Sequence, residues 1–168
     1  PPQTSPLGLL RAPLLVAVVV KLPSVDLARG SRRREHGGGR ALVELIAERE
    51  SVEPGDTLYV ALKMDLDEGW HVYWRNAGDA GLPPLVDVLD GSSISDDHLG
   101  DFVWPIPHLL PVVEGEIMDY GYNNEVVFPF PITIPEDAMG PVTLDVVADY
   151  LICEDTCVPE QAHVKLKL

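Results

Sequence analysis

Residues 57–64 alternate without a break, with Leu58, Val60, Leu62 and Met64 on one side and Thr57, Tyr59, Ala61 and Lys63 on the other. A period of two puts one set against a core and the other toward water, which predicts a half-buried strand. The tail repeats the pattern, since Ala162, Val164, Leu166 and Leu168 alternate with His163, Lys165 and Lys167. Val142, Leu144 and Val146 do the same. Further strands are expected at 42–48, 70–75, 85–89 and 126–134, set off by turn signals such as Glu53-Pro-Gly-Asp56 and Pro135-Glu-Asp137. No segment carries a helical period of convincing length. Short strands with one apolar face each imply an all-β fold, two antiparallel sheets packed face to face as an immunoglobulin-like sandwich.

Between the strands, residues 76–84 and 91–121 read as long loops, the second stiffened by Pro105, Pro107 and Pro111. Its end, Glu114-Gly-Glu-Ile-Met118, mixes acidic and apolar side chains, a combination more typical of a working loop than of a plain connection. The first forty residues differ from the rest. Leu14-Leu-Val-Ala-Val-Val-Val20 follows Arg11 and is too short to span a bilayer; it reads as the apolar core of a secretory signal, with a buried strand as the competing reading. The stretch 29–40 is rich in arginine and glycine, has no apolar period and reads as a solvated linker. The expected organisation is therefore a signal-like segment and linker over 1–40 and one domain over 41–168.

The charge sharpens that division. Of 12 basic and 27 acidic residues, seven basic and only two acidic ones fall in the first forty, leaving five basic side chains against 25 acidic ones in the body. So acidic a surface repels phosphate backbones, which excludes nucleic acid as a partner. No phosphate-binding glycine loop, nucleophile elbow or zincin helix occurs, and no two clustered pairs of ligands stand at the spacing of structural zinc.

What remains is a single pair of cysteines in Tyr150-Leu-Ile-Cys-Glu-Asp-Thr-Cys-Val-Pro-Glu160, between two predicted strands. As a staple the pair would do little: closing a loop of about five residues removes roughly 2 kcal/mol of unfolded-chain entropy, against about 4.7 kcal/mol for a loop of about a hundred. A loop that short also favours a bond that exchanges readily. Three uses stay open: thiol–disulfide traffic, a structural bond, or a soft-metal site for Cu(I) in which His163 joins the two sulfurs. Glu154 and Asp155 lie between the sulfurs and disfavour a thiolate, so the reduced pair is expected to react slowly unless a partner docks.

Four segments taken together carry a resemblance: Glu68-Gly-Trp-His-Val-Tyr-Trp-Arg-Asn-Ala-Gly-Asp-Ala-Gly-Leu-Pro-Pro84, Val103-Trp-Pro-Ile-Pro107, Asp119-Tyr-Gly-Tyr122 and the cysteine segment 150–160. They resemble the amino-terminal periplasmic domain of the DsbD and ScsB-like transmembrane disulfide reductases, an immunoglobulin-like domain. The resemblance implies a periplasmic protein whose redox centre is the Cys153–Cys157 disulfide, with no other cofactor and no metal. It implies electrons arriving from a membrane-embedded reductase domain through a thioredoxin-like donor domain. They would leave to periplasmic protein disulfide acceptors: isomerases, reductases or cytochrome-maturation proteins. By position, Cys157 matches the cysteine that forms mixed disulfides and Cys153 the one that completes the internal bond. His71 and Tyr73 match a strand lining the site, and Glu114, Ile117 and Met118 fall where the family has a covering loop. The sequence departs from the DsbD pattern in having three residues rather than five between the cysteines and no aromatic residue at the covering loop. In this it looks nearer to the ScsB-like branch. The 168 residues hold neither the transmembrane helices nor the thioredoxin-like domain of the full family protein, so the donor is expected on another chain or another part of the parent.

Overall fold

The computed structural model describes residues 35–37, 39–112 and 117–168; the signal-like run 14–20 and Glu114 lie outside them. Ten strands follow in order: β1 (Glu35–Gly37), β2 (Ala41–Ala47), β3 (Thr57–Leu66), β4 (His71–Gly78), β5 (Leu85–Val88), β6 (His108–Val112), β7 (Ile117–Asn123), β8 (Glu125–Thr133), β9 (Thr143–Cys153) and β10 (Cys157–Lys167). They form two antiparallel sheets, one ordered β1-β2-β3-β8 and the other β10-β9-β4-β7-β6, with β5 on β9 below β4. The only helical turn among the described residues is the 3-10 turn Asp96–His98. The expected immunoglobulin-like sandwich is what forms.

The alternation found in the sequence decides which side chains meet between the sheets. Leu58, Val60, Leu62 and Met64 of β3 and Phe128, Phe130 and Ile132 of β8 face Val72, Tyr122, Leu144, Val146, Ile152 and Val164 of the other sheet, all buried. Burial of this kind is the main favourable term in folding, about 1.5–3 kcal/mol for each large apolar side chain. Phe102 and Trp104 close one flank, their rings 5.5 Å and 5.3 Å from that of Phe128. β8 is an edge strand whose Pro129 and Pro131 have no N–H to offer a neighbour. Their carbonyls are taken by Val103 and Gly100, so residues 99–103 cover the edge.

Three departures from the sequence pattern matter. The expected loop 91–121 contains the β6–β7 hairpin, hidden because prolines at 107 and 111 interrupt the alternation around Leu109. β4 continues through Asn76 to Gly78, past its expected end. The four-stranded sheet also reaches back into the arginine/glycine stretch, where β1 pairs with β2 and Arg40 makes an ion pair with Glu160 at 2.7 Å.

Candidate functional site

β9 and β10 form an eleven-rung hairpin, and its last rung is the pair Cys153 and Cys157 themselves. Only Glu154, Asp155 and Thr156 separate them, so the turn brings their Cα atoms to 4.1 Å and the sulfurs are joined. The residues alternating with them, Ile152, Tyr150, Ala148 and Val146, are core. The pleat therefore sends the cysteines to the opposite, outer face of the six-stranded sheet. The two sulfurs are not equivalent: Cys153 is 1% exposed, whereas Cys157, at the start of β10, is open to solvent.

β4 supplies the surroundings. Val72 packs in the core, so its neighbours His71 and Tyr73 share the outer face, and His71 is directly paired with Cys153. The Tyr73 hydroxyl lies 3.5 Å from Cys157 Sγ and 3.3 Å from His71 Nε2, and the two rings meet edge to face. Burial, reinforced by the negative charge of Asp119, pushes the Tyr73 phenol above its ordinary range, so it stays a protonated donor at neutral pH. Burial pulls the His71 imidazole below its usual value, with Asp119 opposing, so it stays neutral there. A neutral imidazole that donates from Nε2 leaves the phenol free to donate to sulfur. A thiolate at Cys157 would then be held by a charge-assisted hydrogen bond.

Two features of this pocket were not singled out from the sequence. Asp119 of β7 is 1% exposed and takes the Ala80 N–H on Oδ1 at 2.9 Å, which ties the loop after β4 to the site. That same loop brings Gly81 (φ +94°) onto the Tyr73 ring so closely that a Cβ there would overlap the ring carbons. Only glycine combines that backbone angle with that approach. The signal was present in the segments Asp119-Tyr-Gly-Tyr122 and Asp79-Ala-Gly-Leu82, but a buried carboxylate and a packing glycine have no period to betray them.

The remaining expected residues fall in different places. Met118 shares the parity of Tyr122 on β7, on the other side of the strand from Asp119, and its N–H is held by Asp79 at 3.0 Å. Ile117 opens β7. His163 pairs in register with Val147, six residues along β10 from Cys157, or about 20 Å at strand spacing. Its Nε2 hydrogen-bonds to Asp145, whose other oxygen takes Lys165 Nζ at 2.7 Å. The alternative soft-metal site, in which His163 would join the two sulfurs of Cys153 and Cys157, does not form: one extended strand cannot return its seventh residue to its first. Among the described residues no cluster of three metal-ligating side chains occurs.

On the inner face, the same end of the hairpin is braced by a buried polar group. Glu160 accepts from Arg40 Nη1 on one oxygen and from the Tyr150 hydroxyl on the other, at 2.7 Å and 3.2 Å, and the Arg40 guanidinium lies 4.8 Å from the centre of the Trp70 ring.

The family model described as thiol:disulfide interchange protein DsbD, N-terminal, matches residues 42–168. Among solved structures the chain is similar to the N-terminal periplasmic domain of ScsB from Proteus mirabilis, with 26% sequence identity and a TM-score of 0.63. The similarity covers 82% of this chain and 51% of that one, so this chain spans about half the length of the relative. No curated protein matches. With a bonded cysteine pair at a sheet end and a family match over three quarters of its length, the chain belongs to the DsbD N-terminal family of thiol–disulfide interchange domains.

Proposed function

We propose that this domain is a periplasmic electron carrier that reduces disulfides of partner proteins. In the reduced state the Cys157 thiolate attacks one sulfur of a partner disulfide, forming a mixed disulfide and releasing the partner's other sulfur as a thiolate that takes up a proton. The Cys153 thiol then gives up its proton, and its thiolate attacks Cys157 Sγ, which restores the internal bond and releases the partner's second thiol. Two electrons leave the pair and one partner disulfide becomes two thiols. A thioredoxin-like donor domain, itself reduced by a membrane-embedded reductase domain, returns the pair to the dithiol by the reverse exchange.

The observation that carries this reading is the asymmetry of the sulfurs: Cys157 is open to solvent with a phenol hydroxyl at 3.5 Å, and Cys153 is buried behind it. Attack on another protein needs an accessible sulfur that can hold negative charge, and resolution needs a second sulfur within reach but out of the partner's way. Exposed Glu154 and Asp155 oppose the thiolate while Tyr73 favours it. That balance suits a carrier that keeps its electrons until a protein covers the turn.

Trapping tests the assignment. The Cys153→Ser variant, mixed with an oxidised thioredoxin, should accumulate a disulfide-linked adduct through Cys157 on a non-reducing gel, and Cys157→Ser should not. Trapping by the Cys157→Ser variant instead would reverse the roles. A reduction potential below about −300 mV for the wild-type pair would mark an inert structural bond and end the proposal.

A further inference from the structure

On the outer face of the β9–β10 hairpin, the rung Leu151–Pro159 lies next to the cysteine rung on that face, and Asp149–Gln161 lies beyond it. The loop after β4 brings Leu82 and Pro83 alongside, and Leu85 begins β5 opposite Asp149. These residues enclose an open groove of about 470 Å³ that runs from the cysteine end down the sheet. Its apolar walls are displayed to solvent, Leu82 at 65% and Leu85 at 60% exposure. Two large aliphatic side chains exposed on the same face as the cysteine rung, Leu85 four residues down β9 from it, gain free energy when another chain covers them.

The charge around the groove has one sign. Its charged lining residues are Asp149, which accepts from Gln161 Nε2, and Glu160, which is paired with Arg40; Glu154 and Asp155 are exposed at the turn above, and no lysine, arginine or histidine lines the groove among the described residues. A segment bonded to Cys157 and running down the strand reaches Pro159 within about 7 Å, so its next residues fall on this surface. We infer that the groove receives the segment flanking the partner's reactive cysteine, and that it selects segments in which apolar side chains accompany a basic one. An acidic segment would meet like charge at the turn, from Glu154 and Asp155, and again at Asp149. This inference rests on the carrier reading above and adds to it a rule for choosing partners.

The test uses the reduced domain and two short peptides, each with one cysteine held as a mixed disulfide with thionitrobenzoate. One peptide flanks its cysteine with leucine and lysine, the other with serine and glutamate. Attack by Cys157 on the peptide sulfur expels coloured thionitrobenzoate, and Cys153 then displaces the peptide thiol. The leucine–lysine peptide should react about tenfold faster, each rate taken relative to that with the small symmetrical reagent. The double variant Leu82→Asn/Leu85→Asn should cut that preference severalfold, and Asp149→Asn or added salt should remove the part due to lysine. Equal rates for the two peptides, or a preference indifferent to the leucine substitutions, would overturn the groove while leaving the carrier reading standing. Failure to expel thionitrobenzoate even from the small reagent would instead sink the carrier reading, and the groove with it.

Discussion

The two faces of the β9–β10 hairpin are made from the same twenty-odd residues, yet they differ in almost every physical respect. Inward, Leu144, Val146, Ala148, Ile152 and Val164 are fully buried, and the one charged group, Glu160, is held by an arginine and a tyrosine. Outward stand the cysteines, an apolar groove, and an Asp145–His163–Lys165 cluster that is partly open to water. The pleat alone makes this separation, because neighbouring residues cannot share a face. Stability and exchange chemistry are therefore carried by interleaved residues that hardly touch, and substitutions on the two faces should fail in different ways.

The largest effect is expected inside. Ile152→Ala, one residue before Cys153, should lower the unfolding free energy by about 2–5 kcal/mol in urea titration, yet leave the exchange rate of the folded fraction within about twofold. A large fall in that rate would mean that the two faces are coupled through the backbone at the turn.

Next comes Tyr73→Phe on the outer face. The ring stays buried and only the hydroxyl is lost, so stability should change by no more than about 1 kcal/mol while exchange slows about tenfold, the loss of one hydrogen bond to a charged sulfur. A titration of thiolate absorbance should show the Cys157 pKa moving up in this variant.

The smallest effect tests His71. Its folded pKa lies below the unfolded value of about 6.5, so the unfolded chain takes up the proton first as pH falls, and stability drops through and below that value. Above it both states are neutral and the contribution is flat. His71→Gln should therefore flatten the acid-side decline between about pH 7 and about pH 5, by less than one proton's slope, in urea titrations at each pH. An unchanged slope would show that His71 is no more buried electrostatically than an exposed histidine.

The ease with which each part was read from sequence follows the same division. The inward residues announced themselves, because a strand with one buried face writes a period of two: β3 came out within two residues, while β9 was legible only as far as Val146 and β10 only from Ala162, short of the halves that run to the cysteines. β6 did not: Pro107 and Pro111 broke the period, although the ladder with β7 is intact. At the site, the cysteines were legible from rarity and spacing, and the strand parity placed His71 and Tyr73 together. Asp119 and Gly81 were not legible as site residues, since their roles depend on a loop folding back across β4 rather than on any local pattern. His163 shows the opposite case: the alternative that joined it to the sulfurs rested on closeness in sequence, which an extended backbone does not turn into a contact.

The cysteine rung closes a hairpin that ten other backbone-paired rungs already hold together. Cutting the sulfur bond releases no strand and opens no loop that the ladder does not still confine, so the reduced and oxidised forms should have nearly the same shape. A visiting protein would then have to sense the state of the two sulfur atoms by chemistry and charge, because the scaffold around them offers no change of outline to recognise.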